Sequence, residues 1–312
     1  MRILLWHVHG SYTTAFVQGA HDYLLPTTPD RGPDGRGRAE TFDWPASARE
    51  IDEASAHDAE VDVVVLQRPH ELNGLAQRWL GGRVPGRDVP AIYLEHNTPP
   101  GPAGSNVHHA ADRADIPVVH VTHCNNLYWD SGRAPTRVIE HGIIDPGLRY
   151  TGAKSRLAVV INEPARRGRV VGADLLARFE AVAPVDLFGI DAGKLGGRAD
   201  LPQSELFDVL AERRAYVHTT RWTSLGLSLL EAMHLGMPVV ALATAEVPRA
   251  VPRGTGFIST DVEELTRACR FLLAERDLAE AVGRRGREHV LRRYGLKRFL
   301  SDWDRAFEEV TA

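Results

Sequence analysis

Residues 224–241 read SLGLSLLEAMHLGMPVVA, and the fold of the chain is decided by what they encode. Gly226 opens an apolar helix, Gly236 closes it, and Pro238 leads into a run of valines. A glycine just past the last turn, with a proline soon after, is an ordinary helix stop. Glu231 sits inside that helix, among Leu229, Leu230, Ala232 and Met233. Its carboxylate has two readings. It could complement the helix dipole from the solvent face, which is worth only about 0.3–1 kcal/mol. Its apolar neighbours favour the other reading, a sheltered acceptor for hydroxyl groups. At the helix start, Leu225, Gly226 and Leu227 supply free amides and the positive dipole end, where an anion is stabilised. Gly226 lacks a Cβ, so a diphosphate can approach the backbone. Glu231, about one turn on, could then accept charge-assisted hydrogen bonds from a ribose.

The surrounding residues, AYVHTTRWTSLGLSLLEAMHLGMPVV, read as strand, loop, helix, strand. The same alternation runs along the chain. RILLWHVHG, VDVVVLQRPH, AIYLEHN, VVHVTHCNN and TRVIEHG form one series of apolar runs; RLAVVIN, VDLFGI, AYVHTT, MPVVAL and TGFIST form a second. Near-continuous β-branched runs without alternation mark strands covered on both faces, as in parallel sheets. Helical segments fall between, such as 73–80, and a helical tail follows Asp261. The turn-rich segment DPGLRYTGAKS separates the series. These features predict an α/β chain of two Rossmann-like domains, residues 1–148 and 149–312. The polar, Gly/Pro-dense loop PTTPDRGPDGRGR at 26–38 has the composition of a mobile segment.

Bulk properties bound the function. With 312 residues and 43% apolar content the chain can bury two cores. A net charge of -4 gives no basic signature, so nucleic acid is not the expected partner. Cys124 and Cys269 lie far apart without CxxC spacing, which fits a reducing cytoplasm better than a disulfide framework or zinc ribbon. No apolar run approaches the ~20 residues that cross a bilayer, and MRILLWHVHG reads as a first strand. His7, His9, His70, His96, His123, His141 and His218 all stand at or just past apolar runs, where parallel sheets bind ligands. A lone histidine there is commonly a hydrogen-bonded loop residue; seven at equivalent positions point to one cleft. His7 and His9 form an HxH pair without an identifiable third metal ligand.

The segment around Glu231 resembles the signature of the retaining GT-B glycosyltransferases, in particular the large group 1 family (family 4-like) that uses nucleotide-sugar donors. That signature has Glu, seven residues, Glu, Ala-Met, and a glycine before Pro-Val-Val. Glu231-Ala232-Met233 and Gly236 to Val240 match its second half; Thr223 stands at the first Glu, which in the family helps hold donor-sugar hydroxyls. VINEPARRGRVVGADLLARF resembles the strand-loop-helix that supplies Arg and Lys to the donor diphosphate. Asn162 falls on the arginine position and Arg167 on the lysine position, with Arg166 and Arg169 close by. Arginine keeps that chemistry because it binds phosphate in bidentate fashion. VIEHGIIDP resembles the hinge-side motif, with His141 and Gly142 at its end. In AIYLEHNTPP, His96 matches the histidine that positions the donor sugar, and HVHGSYTTAF, with Gly10 and Ser11, resembles the loop against the donor phosphates.

The resemblance implies a GT-B fold: two facing Rossmann-like domains, with a last helix crossing back to the N-terminal one. It implies a donor nucleotide in the C-terminal domain, a small-molecule or glycan acceptor on the N-terminal domain, and retaining transfer without metal or separate cofactor. The enzyme then contributes orientation and stabilisation of a diphosphate leaving group. His96, Arg167 and Thr223 are the expected catalytic positions. Gly10, Ser11, Asn162, Arg166, Leu225, Gly226, Leu227 and Glu231 are the expected donor-binding ones. A nucleotide-sugar 2-epimerase and a nucleotide-sugar-binding protein without transferase activity are the alternatives. The DWD at 302–304 lies in an amphipathic helix and is discounted as a metal motif. The basic run GRRGREHVLRRYGLKR, 283–298, could meet anionic lipid, but a solvated helix face is the favoured reading.

Overall fold

A computed structural model describes residues 1–102, 104–199 and 201–312. The chain divides into two compact units: Met1–Gly142 together with Leu296–Ala312, and Ile143–Gly295. Each holds a wholly parallel sheet.

The strands of the first unit are β1 (Arg2–Leu5), β2 (Asp22–Pro26), β3 (Ala48–Ile51), β4 (Val63–Leu66), β5 (Ala91–Glu95), β6 (Val118–His120) and β7 (Thr136–Val138). Their order in the sheet is β3-β2-β1-β4-β5-β6-β7. The central runs are buried end to end, as β4 and β5 show, because helices and loops cover both faces. Trp6 and Trp79 meet edge to face beneath it, ring centres 6.5 Å apart. The sequence does not announce β2 and β3 as strands. β3 is an edge whose Arg49 and Glu50 are exposed, and charge on an edge strand blocks further pairing. The 26–38 loop between them is folded back on itself. Thr28 N–H donates to the Gly35 carbonyl at 2.9 Å, Arg31 pairs with Glu50, and Asp34 accepts from His70 at 2.8 Å. The segment at 73–80 is a broad turn over Glu71–Leu75 and a short helix over Ala76–Trp79, broken by Gly74 at φ +126°.

The helix Leu296–Thr311 packs into this first unit although the whole second unit separates it in sequence from Gly142. Trp303 Nε1–H donates to the Tyr12 hydroxyl at 3.1 Å, and Phe16 stands edge-on to Trp303 at 4.8 Å. Gly142 lies so close that a Cβ there would meet Phe299 at 2.4 Å. Asp304 accepts from His21, and Asp302 pairs with Arg298, so the DWD carboxylates have partners of their own.

The second unit contains β8 (Lys154–Val160), β9 (Val185–Phe188), β10 (Arg213–His218), β11 (Val239–Leu242) and β12 (Phe257–Ser259), in the order β12-β11-β10-β8-β9. The division between the units falls at Gly142/Ile143, six residues before the expected 148/149 boundary, and the last helix belongs to the first unit. Ile143 N–H donates to the Tyr294 carbonyl, and Arg149 and Tyr150 N–H both donate to that of Leu235. A turn-rich composition marks a linker without telling which side its backbone bonds will join. Helices Val262–Ala274 and Arg276–Arg293 complete this unit. The basic run is partly structural: Gly283 packs against the Gly236 carbonyl, where a Cβ would come within 2.0 Å, and Arg287 pairs with Asp145. Arg284 pairs with Glu280 on the exposed face. Among the described residues no helix is long and apolar enough to cross a membrane.

Candidate functional site

In the second unit the chain passes from β8 to β9 on one side and later to β10 on the other. The carboxyl ends of β8 and β10 therefore flank a switch point, where open parallel sheets bind ligands. The loop after β8 carries Asn162 to Arg167. Glu163 takes a left-handed conformation (φ +53°), and the short helix Pro164–Arg167 follows. The Asn162 side chain accepts from the N–H of Ile190 at 3.0 Å, so its oxygen is spent on the turn after β9. Arg166 is exposed and bound to Glu163 at 2.8 Å; Arg169 pairs with Asp174. Arg167 differs from both: it is half-buried and makes no ion pair among the described residues. Burial, with Arg166 beside it, lowers its pKa. Glu163 nearby opposes this, but it is ion-paired to Arg166, so the half-desolvated Arg167 guanidinium is the natural anion ligand of the three.

The loop after β10 is tied to the same place. Thr219 Oγ1 donates to the Val171 carbonyl at 2.8 Å and Arg221 N–H to that of Val170 at 2.9 Å. Gly172, at φ +73°, permits this approach, since a Cβ would stand 2.0 Å from the Thr219 oxygen. Thr223 is half-buried, with no hydrogen bond to its hydroxyl among the described residues. The helix then runs Leu227–His234 behind Gly226, and among the described residues no side chain caps its N-terminus. Leu225 is a core residue and Leu227 packs beside the core, so only their backbones face outward chemistry. The reason for glycine at 226 is more local than the sequence implied. Its φ is an ordinary −69°, but a Cβ would lie 2.5 Å from Cε1 of His218. His218 is buried and neutral, its pKa lowered to about 4 by burial, and its Nε2 has no partner among the described residues.

Glu231 is 8% exposed. Burial pushes its carboxyl up to about 7, and a hydrogen bond from Gln203 Nε2 to Oε1 at 3.0 Å opposes this. Oε2 accepts nothing among the described residues. The dipole-complementing surface position is thus replaced by a sheltered acceptor. Gln203, first residue of the helix Gln203–Ala211, was not foreseen; it lies 28 positions away in no recognisable motif.

The first unit has its own switch point, between β1 and β4. His96, 7% exposed, follows β5 and bonds through Nε2 to Gln67 Oε1 at 3.0 Å. The His9 ring centre is 4.2 Å from that of His96, and Tyr12 is edge-on to both His96 (4.5 Å) and His141 (5.7 Å). All three histidines are held neutral. Burial lowers His96 well below its ordinary value, and His9 and His141 add to this. Burial also lowers His9 to about 4 and His141 to about 3, with Arg36 and Arg298 contributing respectively. Both ring nitrogens of His141 lack partners among the described residues. Gly10 packs against Phe42, 2.9 Å from where its Cβ would be, and Ser11 is half-buried on the next position. Not all the expected histidines gather. His7 bonds to the Gly37 carbonyl, His70 to Asp34, and His123 is exposed at the start of a helix. Among the described residues no group of three or more His, Cys, Asp or Glu could hold a metal ion.

Residues 156–303 match a family model described as glycosyl transferase-like. An 85-residue stretch is 34% identical to the trehalose synthase of Rubrobacter xylanophilus, covering 27% of this chain and 20% of that one. The match spans about a fifth of the length of the curated relatives. In structure, the sucrose-phosphate synthase of Thermosynechococcus elongatus superposes with a TM-score of 0.71 at 15% identity, covering 99% of this chain and 98% of the other. Anabaena HepE in complex with UDP-glucose gives 0.69 at 15%, covering 99% and 100%. These likenesses fix the fold as GT-B.

Proposed function

We propose that this chain is a group 1 GT-B glycosyltransferase that moves a sugar from a nucleotide-diphosphate donor to an acceptor with retention of configuration, a reading supported by the family match over residues 156–303 and by the shared fold. The observation that carries the reading is Glu231: a buried carboxylate with one oxygen uncommitted, inside an uncapped helix at the carboxyl end of β10. Ribose hydroxyls would donate to Glu231, the diphosphate would lie on the amides of Gly226 and Leu227, and Arg167 would neutralise it. As the sugar–oxygen bond breaks, negative charge grows on the diphosphate. A helix N-terminus and an unpaired guanidinium stabilise that charge without reorganisation. The acceptor would bind to the first unit, and His96 would hold a hydroxyl of the donor sugar; no step needs a metal or a protein nucleophile.

Anabaena HepE, of the same fold and with structures that contain UDP, UDP and glucose, or UDP-glucose, supports a nucleotide-sugar donor. Thr223 favours a second reading, a nucleotide-sugar-binding protein without turnover, because an uncharged hydroxyl stands where a carboxylate would hold the sugar. The test is thermal unfolding against UDP, GDP, ADP and dTDP, followed by donor turnover with and without acceptors. A ligand at about 100 times its Kd stabilises the native state by ~2.7 kcal/mol. A selective shift with one diphosphate names the base; no shift with any of the four at millimolar concentration removes the donor site. A shift without turnover selects the second reading.

A further inference from the structure

The loop after β4 holds a chain of hydrogen bonds whose direction can be worked out atom by atom. Glu71 is fully buried and accepts from the backbone N–H of Gln67 at 2.6 Å and of Arg68 at 3.3 Å, which fixes the start of the loop. The Gln67 side chain, 5% exposed, donates from Nε2 to the Trp6 carbonyl at 2.7 Å. A carbonyl oxygen only accepts, so the amide cannot be turned round: its Oε1 must face His96. His96 Nε2 stands 3.0 Å from that oxygen, which also only accepts, so Nε2 must carry the proton. A neutral imidazole then has a bare lone pair on Nδ1, and Nδ1 makes no hydrogen bond among the described residues.

We propose that Gln67 is a positioning residue that locks His96 in its Nε2–H tautomer, so that Nδ1 accepts a hydrogen bond from a sugar hydroxyl. The lock stands on geometry alone; its use toward a sugar rests on the transferase reading above. The consequence is chemical selection. A hydroxyl can satisfy Nδ1, whereas a phosphate oxygen or carboxylate brings no proton and is repelled by the lone pair. The sugar position that meets His96 must therefore carry a free hydroxyl.

The ring nitrogens of the ¹⁵N-labelled chain, read at neutral pH without ligand, test the lock directly. His96 is assigned by the signal lost in His96→Asn. The expected spectrum has a protonated Nε2 and an unprotonated Nδ1. Gln67→Met, which removes the accepting oxygen, should give a mixture of tautomers. It should also lower kcat for UDP-glucose hydrolysis about 10-fold, the order expected when one oriented hydrogen bond to the reacting sugar is lost, with KM changed less than two-fold. Gln67→Glu keeps an accepting oxygen at the same reach and should retain the protonated Nε2, which serves if the Met variant does not fold. A wild-type Nδ1–H tautomer, or a pure Nε2–H tautomer surviving in Gln67→Met, overturns the lock. The expected spectra with no binding or hydrolysis of UDP-glucose would uphold the lock and count against that donor alone.

Discussion

The two units are built on the same plan and dressed oppositely. Each is a parallel sheet with a switch point beside its first strand, β1/β4 in one and β8/β10 in the other. At the first stand neutral rings, His9 half-buried and His96, His141 and Tyr12 buried. At the second stand an unpaired arginine, an uncapped helix N-terminus and a buried carboxylate. The scaffold leaves the chemistry open, and the residues just past the strands decide whether an end offers directional hydrogen bonds or charge.

Acid should break the comparison most strongly. His9, His120 and His141 of the first unit are neutral when folded, burial holding His141 and His120 near 3 and His9 near 4. In the unfolded chain they protonate near 6.5. Their stability is therefore full above 6.5 and lost as pH falls toward the folded values, each costing about 3 kcal/mol by pH 4. Trp6, Trp44, Trp79, Trp129 and Trp303 all lie in the first unit and only Trp222 in the second. A tryptophan-fluorescence titration should show a cooperative acid transition starting below 6.5; a flat signal down to pH 4 would refute the neutral cluster.

Glu231 works with the opposite sign. Its folded pKa of about 7 lies above the ordinary 4.5. The stability tied to its protonated form is present below 4.5 and lost as pH rises through 7. Glu231→Gln should therefore stabilise the ligand-free protein at pH 8 by about 3 kcal/mol, measured by denaturant unfolding at pH 5 and 8. Glu231→Ala should weaken nucleotide binding by ~1.5–3 kcal/mol, the scale of a hydrogen bond to a charged group. Wild-type affinity, followed by calorimetry, should rise as pH passes 7, because ribose hydroxyls donate to the ionised carboxylate.

The arginines sharpen the contrast within one loop. Arg167→Ala should cost ~1.5 kcal/mol of nucleotide affinity, as a charge-assisted contact is lost. Arg166→Ala, which removes an exposed pair with Glu163, should stay within about 0.5 kcal/mol. Equal losses would show that the unpaired guanidinium is not the ligand. The smallest effect belongs to Thr223→Glu, which should leave free nucleotide affinity nearly unchanged while altering the preference among donor sugars in competition assays.

Much of this could be read from the sequence because it is written locally. Eighteen consecutive residues carry the helix, its stop and Glu231, and uninterrupted valine runs announce buried strands. What stayed hidden depends on partners far along the chain. Gln203 reaches Glu231 across 28 residues, and Gln67 reaches His96 across 29. Nothing in the short-range pattern around either glutamine signals a site. Gly226 shows a subtler failure: the sequence identified the need for a missing Cβ, but the atom that fills the space is a histidine of the preceding strand. The edge strand at 48–51 was obscured by the charges that keep it solitary.

The helix Leu296–Thr311 has a consequence for how the protein comes into being. Its aromatic residues Phe299, Trp303 and Phe307 cover Tyr12 and Phe16, which lie nearly three hundred positions earlier. On the ribosome the first sheet emerges long before its lid exists, and the whole second unit is synthesised in between. Tyr12 and Phe16 can gain this cover only after that interval, so the first unit is completed after the second has been made.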